Sequence, residues 1–400
     1  MSCTALWRRM PVLLILAGVF AWPGSAQDML SWFEQNVTEF TLENGLTFIV
    51  VERHEAPVVS FFTYADVGGV DEVKGITGMA HMFEHMAFKG TTTIGTKDLE
   101  KEIDAMRRVD HAYAELKRER RKVAMAEPER TEHLEEAFER AKKEAQEYVE
   151  NGEFEKVIER AGGTGLNATT GSDATRYFYS LPANKIELWF SLESDRFLNP
   201  VLREFYIERD VVMEERRMRT ESSPVGRLFE EFLTTAFKAH PYGEPVVGHM
   251  SDLQSFTREE AEAFFDTYYG ANNLTIAIVG SVDTEQVRRL AETYFGRLPA
   301  GAKPEPVETV EPPQIAERRV IIEEQAQPFV FIGYHKGSFL HPDDAAFSVL
   351  SDIVSRGRTS RIYKRLVDEE KIALQAAGFN NFPGSKYPNL FVFLSAPNQG

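Results

Sequence analysis

The sequence repeats one order of strand and helix patterns on either side of a Pro-rich segment, and this repeat constrains the fold more than any other feature. Prolines at 304, 306, 312 and 313 are typical of a linker. Before it, a strand pattern at 50–52 leads through a proline into an alternating apolar run at 58–64. After it, the segments 321–323 and 329–334 follow in the same way. The sequence therefore predicts duplicated α/β domains, each with two strands, a helix and a further strand.

A second repeated pair supports this division and sets the predicted boundaries. The strand pattern at 176–184 recurs at 389–398. We therefore predict a first domain at 27–299, a linker at 300–316 and a second domain at 317–400. The first copy continues to a strand at 274–279 and a helix ending near Arg297, and the second copy has no counterpart of either. We therefore expect the second domain to be cut short.

Residues 1–26 have the pattern of a secretory signal peptide. Arg8 and Arg9 form a basic start, an apolar run follows at 11–22, and small residues stand at 24–26. A membrane anchor is the alternative, but this run is shorter than the roughly 20 residues that a span needs. The sequence therefore predicts a periplasmic or secreted protein with no membrane span after cleavage of the signal.

The composition excludes several functions and metal sites. The chain has 62 acidic and 45 basic residues and a net charge of −17, which argues against binding to nucleic acid or to anionic membranes. Its single cysteine, Cys3, rules out both a disulfide framework and a thiolate zinc site. Any metal site is therefore expected to consist of histidines and carboxylates.

Residues 100–160 interrupt the first domain with a highly charged segment. More than half of these residues are charged, against 27% of the whole chain. Apolar side chains recur at helical spacing in two runs, and Pro128 lies between them. The pattern predicts a solvated helical hairpin inserted into the domain. A coiled-coil site for a partner protein is the alternative.

His81, Glu84 and His85 form the pattern H-x-x-E-H in an apolar, uninterrupted stretch, with Thr77 as the predicted helix cap and Gly90 as the predicted stop. Positions i and i+4 of a helix share a face, so both imidazoles can bind one ion. Glu84 projects to the edge of that face, within reach of water at the ion. The alternative is a pair of histidines in the core or at a cap. The order of residues is that of the inverzincins.

Residues 78–91, which contain this pattern, resemble the signature of the M16 metallopeptidases, the pitrilysin family that includes insulin-degrading enzyme and the mitochondrial processing peptidases. Residues 165–169 and 175–177 resemble the substrate-binding edge strand of that family, and residues 208–215 resemble the helix that supplies its third metal ligand. The resemblance covers residues 36–398 and fits bacterial members best. It implies two-layer domains, each a mostly antiparallel sheet with helices packed on one face.

A catalytic zinc site needs three protein ligands and an open position. Glu208, Glu214 and Glu215 are the candidates for the third ligand, although by residue pattern alone they are surface charges on a helix. The resemblance implies that Glu215 completes the site of His81 and His85, with one zinc ion per chain. It also implies that Glu208 steadies the site and that Glu214 is a surface charge.

The resemblance further implies a mechanism and a way of binding substrate. Glu84 is expected to act as general base toward a metal-activated water. The strand around Asn167, Ala168 and Thr169 is expected to bind an extended peptide by strand addition, and an ordinary internal strand is the alternative. The second repeat contains no H-x-x-E-H, so we expect it to be a structural or substrate-enclosing domain without a metal.

The leading hypothesis is an exported, zinc-dependent endopeptidase that acts on peptides or unstructured protein segments. The resemblance implies a homodimer or paired M16 subunits as the assembly. A second hypothesis is a non-catalytic M16-like subunit that scaffolds an active partner. A third is a structural zinc site, for which His240 is the first candidate as fourth ligand.

Overall fold

A computed structural model describes residues 31, 32 and 34–398 of the chain. The predicted signal peptide at 1–26 lies outside these residues. The chain divides after Val37, and apart from that residue the features below belong to the main unit, which begins at Thr38. None of the helices in the described part is both long and apolar enough to cross a membrane.

The described strands form two sheets. The strands are β1 Val37–Thr41, β2 Thr47–Glu52, β3 Val58–Ala65, β4 Thr164–Thr170, β5 Thr175–Pro182, β6 Leu274–Gly280, β7 Val330–Lys336, β8 Ala373–Phe382 and β9 Asn389–Pro397. The helices are α1 Met79–Met86, α2 Leu99–Arg120, α3 Pro128–Gln146, α4 Glu153–Arg160, α5 Ile186–Leu198, α6 Phe205–Arg216, α7 Pro224–Ala236, α8 Met250–Ser255, α9 Arg258–Tyr268, α10 Thr284–Phe295, α11 Asp344–Ser355 and α12 Arg361–Tyr363.

The first sheet has the strand order β1-β2-β6-β3-β5-β4. β2 and β6 are parallel, whereas β3 is antiparallel to both β6 and β5, and β4 is antiparallel to β5. Alternate residues of β3, such as Val59 and Phe61, are buried on one face. The ring of Phe61 stacks on Trp189 of α5 with a centroid distance of 4.4 Å. The mostly antiparallel sheet with helices on one face is therefore confirmed.

The second sheet repeats only part of this arrangement. β7 and β8 both pair antiparallel with β9, and α11 follows β7 as the repeat predicts. The predicted strand at 321–323 is wrong, because these residues lie in an irregular segment. Its counterpart, β2, is hydrogen-bonded to β6, and the described residues contain no strand in the equivalent place beside β7. A strand pattern without a neighbouring strand leaves its backbone groups unpaired and does not form regular structure.

The inserted segment folds as the predicted helical hairpin, in which α2 and α3 pack side by side. Tyr113 and Phe138 are only 2% and 4% exposed, although the hairpin is rich in charge. Both rings pack on Tyr206 of α6, at centroid distances of 4.7 and 5.3 Å. The hairpin therefore has a buried aromatic face against α6, the helix that contains Glu208 and Glu215. The domain division at 300–316 stays a prediction.

Candidate metal centre and active site

The helix α1 contains all three residues of the H-x-x-E-H pattern. His81 is buried, and Glu84 and His85 are half-buried. The helix begins at Met79, after Gly78 in the left-handed conformation with φ of 94°. The predicted cap at Thr77 is therefore wrong, because the Thr77 hydroxyl instead donates a hydrogen bond to Asp252.

A buried carboxyl group from outside the helix caps α1. Glu72 accepts hydrogen bonds from the backbone N–H groups of Gly78 and Ala80, at 2.6 and 2.7 Å. Burial raises the pKa of Glu72 to about 8, against the opposite effect of these two hydrogen bonds. A contact from an earlier segment of the chain thus holds the N-terminus of the helix that presents His81 and His85.

Glu215 lies near the end of α6 and reaches both histidines. Its Oε1 is 3.6 Å from His81 Nε2, and its Oε2 is 3.3 Å from His85 Nε2. Within the described residues, His81, His85 and Glu215 form the group of ligand-type side chains whose atoms lie within 4.8 Å of one another. Zinc bonds of roughly 2.0–2.2 Å at tetrahedral angles would place ligand atoms roughly 3.4 Å apart. The observed separations therefore fit a single zinc ion.

The three glutamates that are candidates for the third ligand occupy three different environments. Glu215 faces the histidines, and Glu208 lies two turns earlier with its Oε2 3.3 Å from His85 Nδ1. Glu214 is exposed, and its carboxylate pairs with Arg217 at 2.9 Å. The structure therefore separates a carboxylate at the ligand position, one behind a histidine and one on the surface.

The charges at this centre favour a cation. Burial opposes the charge on His85, but hydrogen bonds to Glu208 and Glu215 outweigh it and raise its pKa to about 9. The hydrogen bond from His85 is also the main cause of the lowered pKa of Glu215. The two carboxylates thus stabilise positive charge at the place where metal ligands would hold an ion.

A pocket of about 390 Å³ opens beside α1. Glu84 and His85 line one part of it, and Asn167 and Ala168 of β4 line another. Thr169, the third predicted substrate-binding residue, lies outside this lining. Because β4 is an edge strand of the first sheet, its outer backbone groups can pair with an added strand.

Several neighbours of the centre were missed in the sequence. Lys89 Nζ lies 2.5 Å from Glu208 Oε1, and Arg219 lies 2.8 Å from Glu215 Oε1. Each follows a site residue by four positions, so helical spacing is the signal that could have found them. Glu72 offers no such signal, because it lies outside any helix.

His240, the candidate fourth ligand of a structural zinc site, is not part of the three-residue group. It is buried, and its Nδ1 accepts a hydrogen bond from the backbone N–H of Tyr242 at 3.1 Å. This contact agrees with a structural role for His240 in its turn.

Two models of one protein family match the chain. The model described as Insulinase (Peptidase family M16) matches residues 47–140 and 137–249, and the model described as Peptidase M16 inactive domain matches residues 255–398. The chain belongs to peptidase family M16. The resemblance seen in the sequence is thus confirmed, and the inactive-domain match includes the second repeat, where α11 has no H-x-x-E-H.

M16 relatives of known name are similar over much of the chain. The zinc protease PqqE of Helicobacter pylori is 28% identical over 366 residues, which cover 90% of this chain and 69% of the relative. The β subunit of the mitochondrial processing peptidase of Lentinula edodes is 25% identical over 266 residues, which cover 66% of this chain and 45% of the relative. These relatives support a peptidase-type function.

Solved M16 structures share the fold. The crystal structure of a protease from Helicobacter pylori superposes with a TM-score of 0.73 at 28% identity, covering 91% of this chain and 75% of that one. A mutant of the ferredoxin protease FusC, in complex with Arabidopsis ferredoxin, superposes with a TM-score of 0.60 at 17% identity. It covers 90% of this chain and 35% of that one, and the likeness is one of fold alone.

Proposed function

We propose that this chain is a zinc-dependent endopeptidase that hydrolyses peptides or unstructured protein segments. The observation that carries the proposal is the convergence of His81, His85 and Glu215 at separations that match zinc coordination. The relatives named zinc proteases support the same function. The proposal includes one zinc ion per chain.

His81, His85 and Glu215 would hold the ion. When bound, zinc supplies a Lewis acid that polarises a carbonyl group and lowers the pKa of water. Glu208 accepts the Nδ1–H of His85, which leaves Nε2 as the ligand atom and fixes the ring. Lys89 and Arg219 hold the carboxylates of Glu208 and Glu215 in turn.

Glu84 is the proposed general base. It lies between the two histidines in the sequence of α1 and lines the pocket, so its carboxylate can accept a proton from the attacking water. It can then deliver that proton to the leaving amine of the cleaved peptide bond. General acid–base catalysis of this kind contributes roughly 10²- to 10⁴-fold to a rate.

The edge strand β4 is the proposed site of substrate binding. Ala168 is buried and Asn167 is exposed, and both line the pocket that also contains Glu84. Strand addition needs a substrate with a free backbone, which favours peptides and unfolded segments over folded proteins. Thr169 belongs to the same strand and contributes backbone groups next to Ala168.

We also propose that the protein is exported and acts in the periplasm or outside the cell, as a homodimer or a paired subunit. The signal-peptide pattern at 1–26 supports export. A solved M16 structure similar in fold is that of the periplasmic protease PqqL from Escherichia coli.

The experiment compares metal content and peptide cleavage in the wild type and in Glu84→Gln. We expect about one zinc per chain in both proteins, and a fall in kcat/KM of roughly 10²-fold or more in the variant. Glu214→Gln is the matched control, because Glu214 is an exposed glutamate of α6. A wild type without zinc, or equal cleavage by Glu84→Gln, contradicts the proposal and favours a scaffolding subunit.

A further inference from the structure

The turn that follows the edge strand β4 is held by a loop from the second repeat. Asp173 lies in this turn, at 171–174, and is only 9% exposed. Its Oδ2 accepts hydrogen bonds from the backbone N–H groups of Ser385 and Lys386, at 2.5 and 3.1 Å. Its Oδ1 accepts a hydrogen bond from the hydroxyl of Tyr242. The carboxylate therefore joins β4 to the loop between β8 and β9.

This contact is close and largely dry. A Cβ on Gly384 would lie 2.5 Å from Asp173 Oδ1 and 2.6 Å from Tyr242 Oη, so a side chain at this position would push against both groups. Tyr242 is 1% exposed, and its hydroxyl also accepts the backbone N–H of Tyr387 at 3.1 Å. Hydrogen bonds to a buried carboxylate are stronger than those between neutral groups.

The same turn contacts the segment that leads to α1. The backbone N–H groups of Gly69 and Val70 donate to the carbonyls of Gly171 and Ser172, at 3.2 and 2.9 Å. That segment continues to Glu72, which caps α1. The turn therefore lies between the second repeat and the segment that holds the helix of His81 and His85.

We propose that Asp173 is a positioning residue, through which the second repeat sets the edge strand to which substrate adds. The strand runs from this turn through Thr170, opposite Thr175, to Ala168, opposite Tyr177, so a shift of the turn moves the pocket wall. The inference rests on the proposed function, because it assigns substrate binding to β4. This role of the second repeat in binding acts through Asp173 and does not require the second repeat to touch the peptide.

The test uses the Glu84→Gln background, in which bound peptide persists. A fluorescein-labelled fragment of β-casein, an unstructured protein, is titrated and its Kd is measured by anisotropy. Asp173→Asn is expected to raise the Kd about fivefold or more, with unchanged zinc content. Tyr242→Phe is expected to raise it less, because the two backbone donors remain. Asp283→Asn is the control, since Asp283 also accepts a backbone N–H but caps α10.

Two further measurements separate positioning from stability. In the active enzyme, Asp173→Asn is expected to raise KM with kcat within about twofold of the wild type. The backbone amides of 164–170 are expected to exchange hydrogen faster in this variant, with those of α10 unchanged. A lower melting temperature with unchanged Kd and unchanged exchange overturns the proposal. If the Glu84→Gln protein binds no casein fragment, the proposed function fails, and the exchange rates alone decide whether Asp173 fixes β4.

Discussion

The helices α1 and α11 occupy equivalent places in the two repeats, and they differ in what surrounds them. In α1, His81 and Phe83 are 6% and 3% exposed, and the helix packs against β4, β5 and α6. In α11, Val349 and Ile353 are 60% and 44% exposed. A helix enclosed by several elements can aim side chains at residues distant in sequence, and α6 places Glu215 opposite α1 in this way. α11 contains neither a histidine nor a glutamate, and these exposed side chains show that it is not enclosed in the same way.

The strands before these helices differ in the same way. Phe61 of β3 is 2% exposed and lies under α5, whereas Ile332 of β7 is 48% exposed. The alternating pattern is similar in both strands, but burial depends on the layer above. The comparison teaches that the repeated sequence pattern sets the order of strands and helices. The elements packed around each copy determine which copy has a buried face and a candidate metal site.

The largest expected effect tests whether the chemistry belongs to the first repeat. Glu215→Gln removes an anionic ligand, so we expect loss of bound zinc and a fall in kcat/KM of about 10³-fold or more. Glu214→Gln, one position away and exposed, is expected to keep zinc and activity. Mass-spectrometric metal analysis and peptide cleavage measure both. Retention of zinc by Glu215→Gln would show that another residue completes the site.

The next effect tests the difference between β3 and β7. Phe61→Ala leaves a cavity against Trp189 and is expected to lower the free energy of unfolding by about 3–5 kcal/mol. Ile332→Ala is expected to lower it by about 1 kcal/mol or less, because half of the side chain is already exposed. Chemical denaturation measures both values. Equal losses of unfolding free energy in the two variants would mean that the Ile332 side chain is buried in solution.

A third effect concerns the cap of α1 and depends on pH. The folded-state pKa of Glu72 is about 8, above its ordinary value of 4.5, so the folded state holds this proton more tightly. The resulting stability is complete below the unfolded pKa and is lost as the pH rises through 8. From roughly pH 5 to 8, the free energy of unfolding should fall by about 3 kcal/mol more in the wild type than in Glu72→Gln. Parallel pH profiles of denaturation midpoints would contradict this.

The smallest effect compares the caps of two helices. Asp283 caps α10 by accepting the backbone N–H of Gln286, whereas the Asp343 side chain makes no capping hydrogen bond at α11. Asp283→Ala is therefore expected to cost about 1 kcal/mol of stability. Asp343→Ala is expected to change it by less than about 0.5 kcal/mol. Thermal denaturation measures the stability of both variants, and a larger loss of stability in Asp343→Ala than in Asp283→Ala would contradict this prediction.

Much of the fold could be predicted because the patterns are local. The alternation of β3, the helical spacing of α2 and α3 and the similarity of β5 and β9 are each visible within a short window. The strand at 321–323 failed because a strand also needs a partner, and no local pattern supplies one. The prediction that Thr77 caps α1 failed for a similar reason, since the group that binds the first N–H groups of the helix is Glu72, which reaches them across a turn.

The sequence alone determined that His81 and His85 share one face of a helix, because helical geometry places positions i and i+4 on the same side. It also determined that any metal site consists of histidines and carboxylates, since its only cysteine is Cys3. Only the tertiary structure brought Glu215 to both histidines across the inserted hairpin and placed Glu208 behind one of them. Contacts between residues more than a hundred positions apart depend on how the helices pack, and packing is a property of the whole fold.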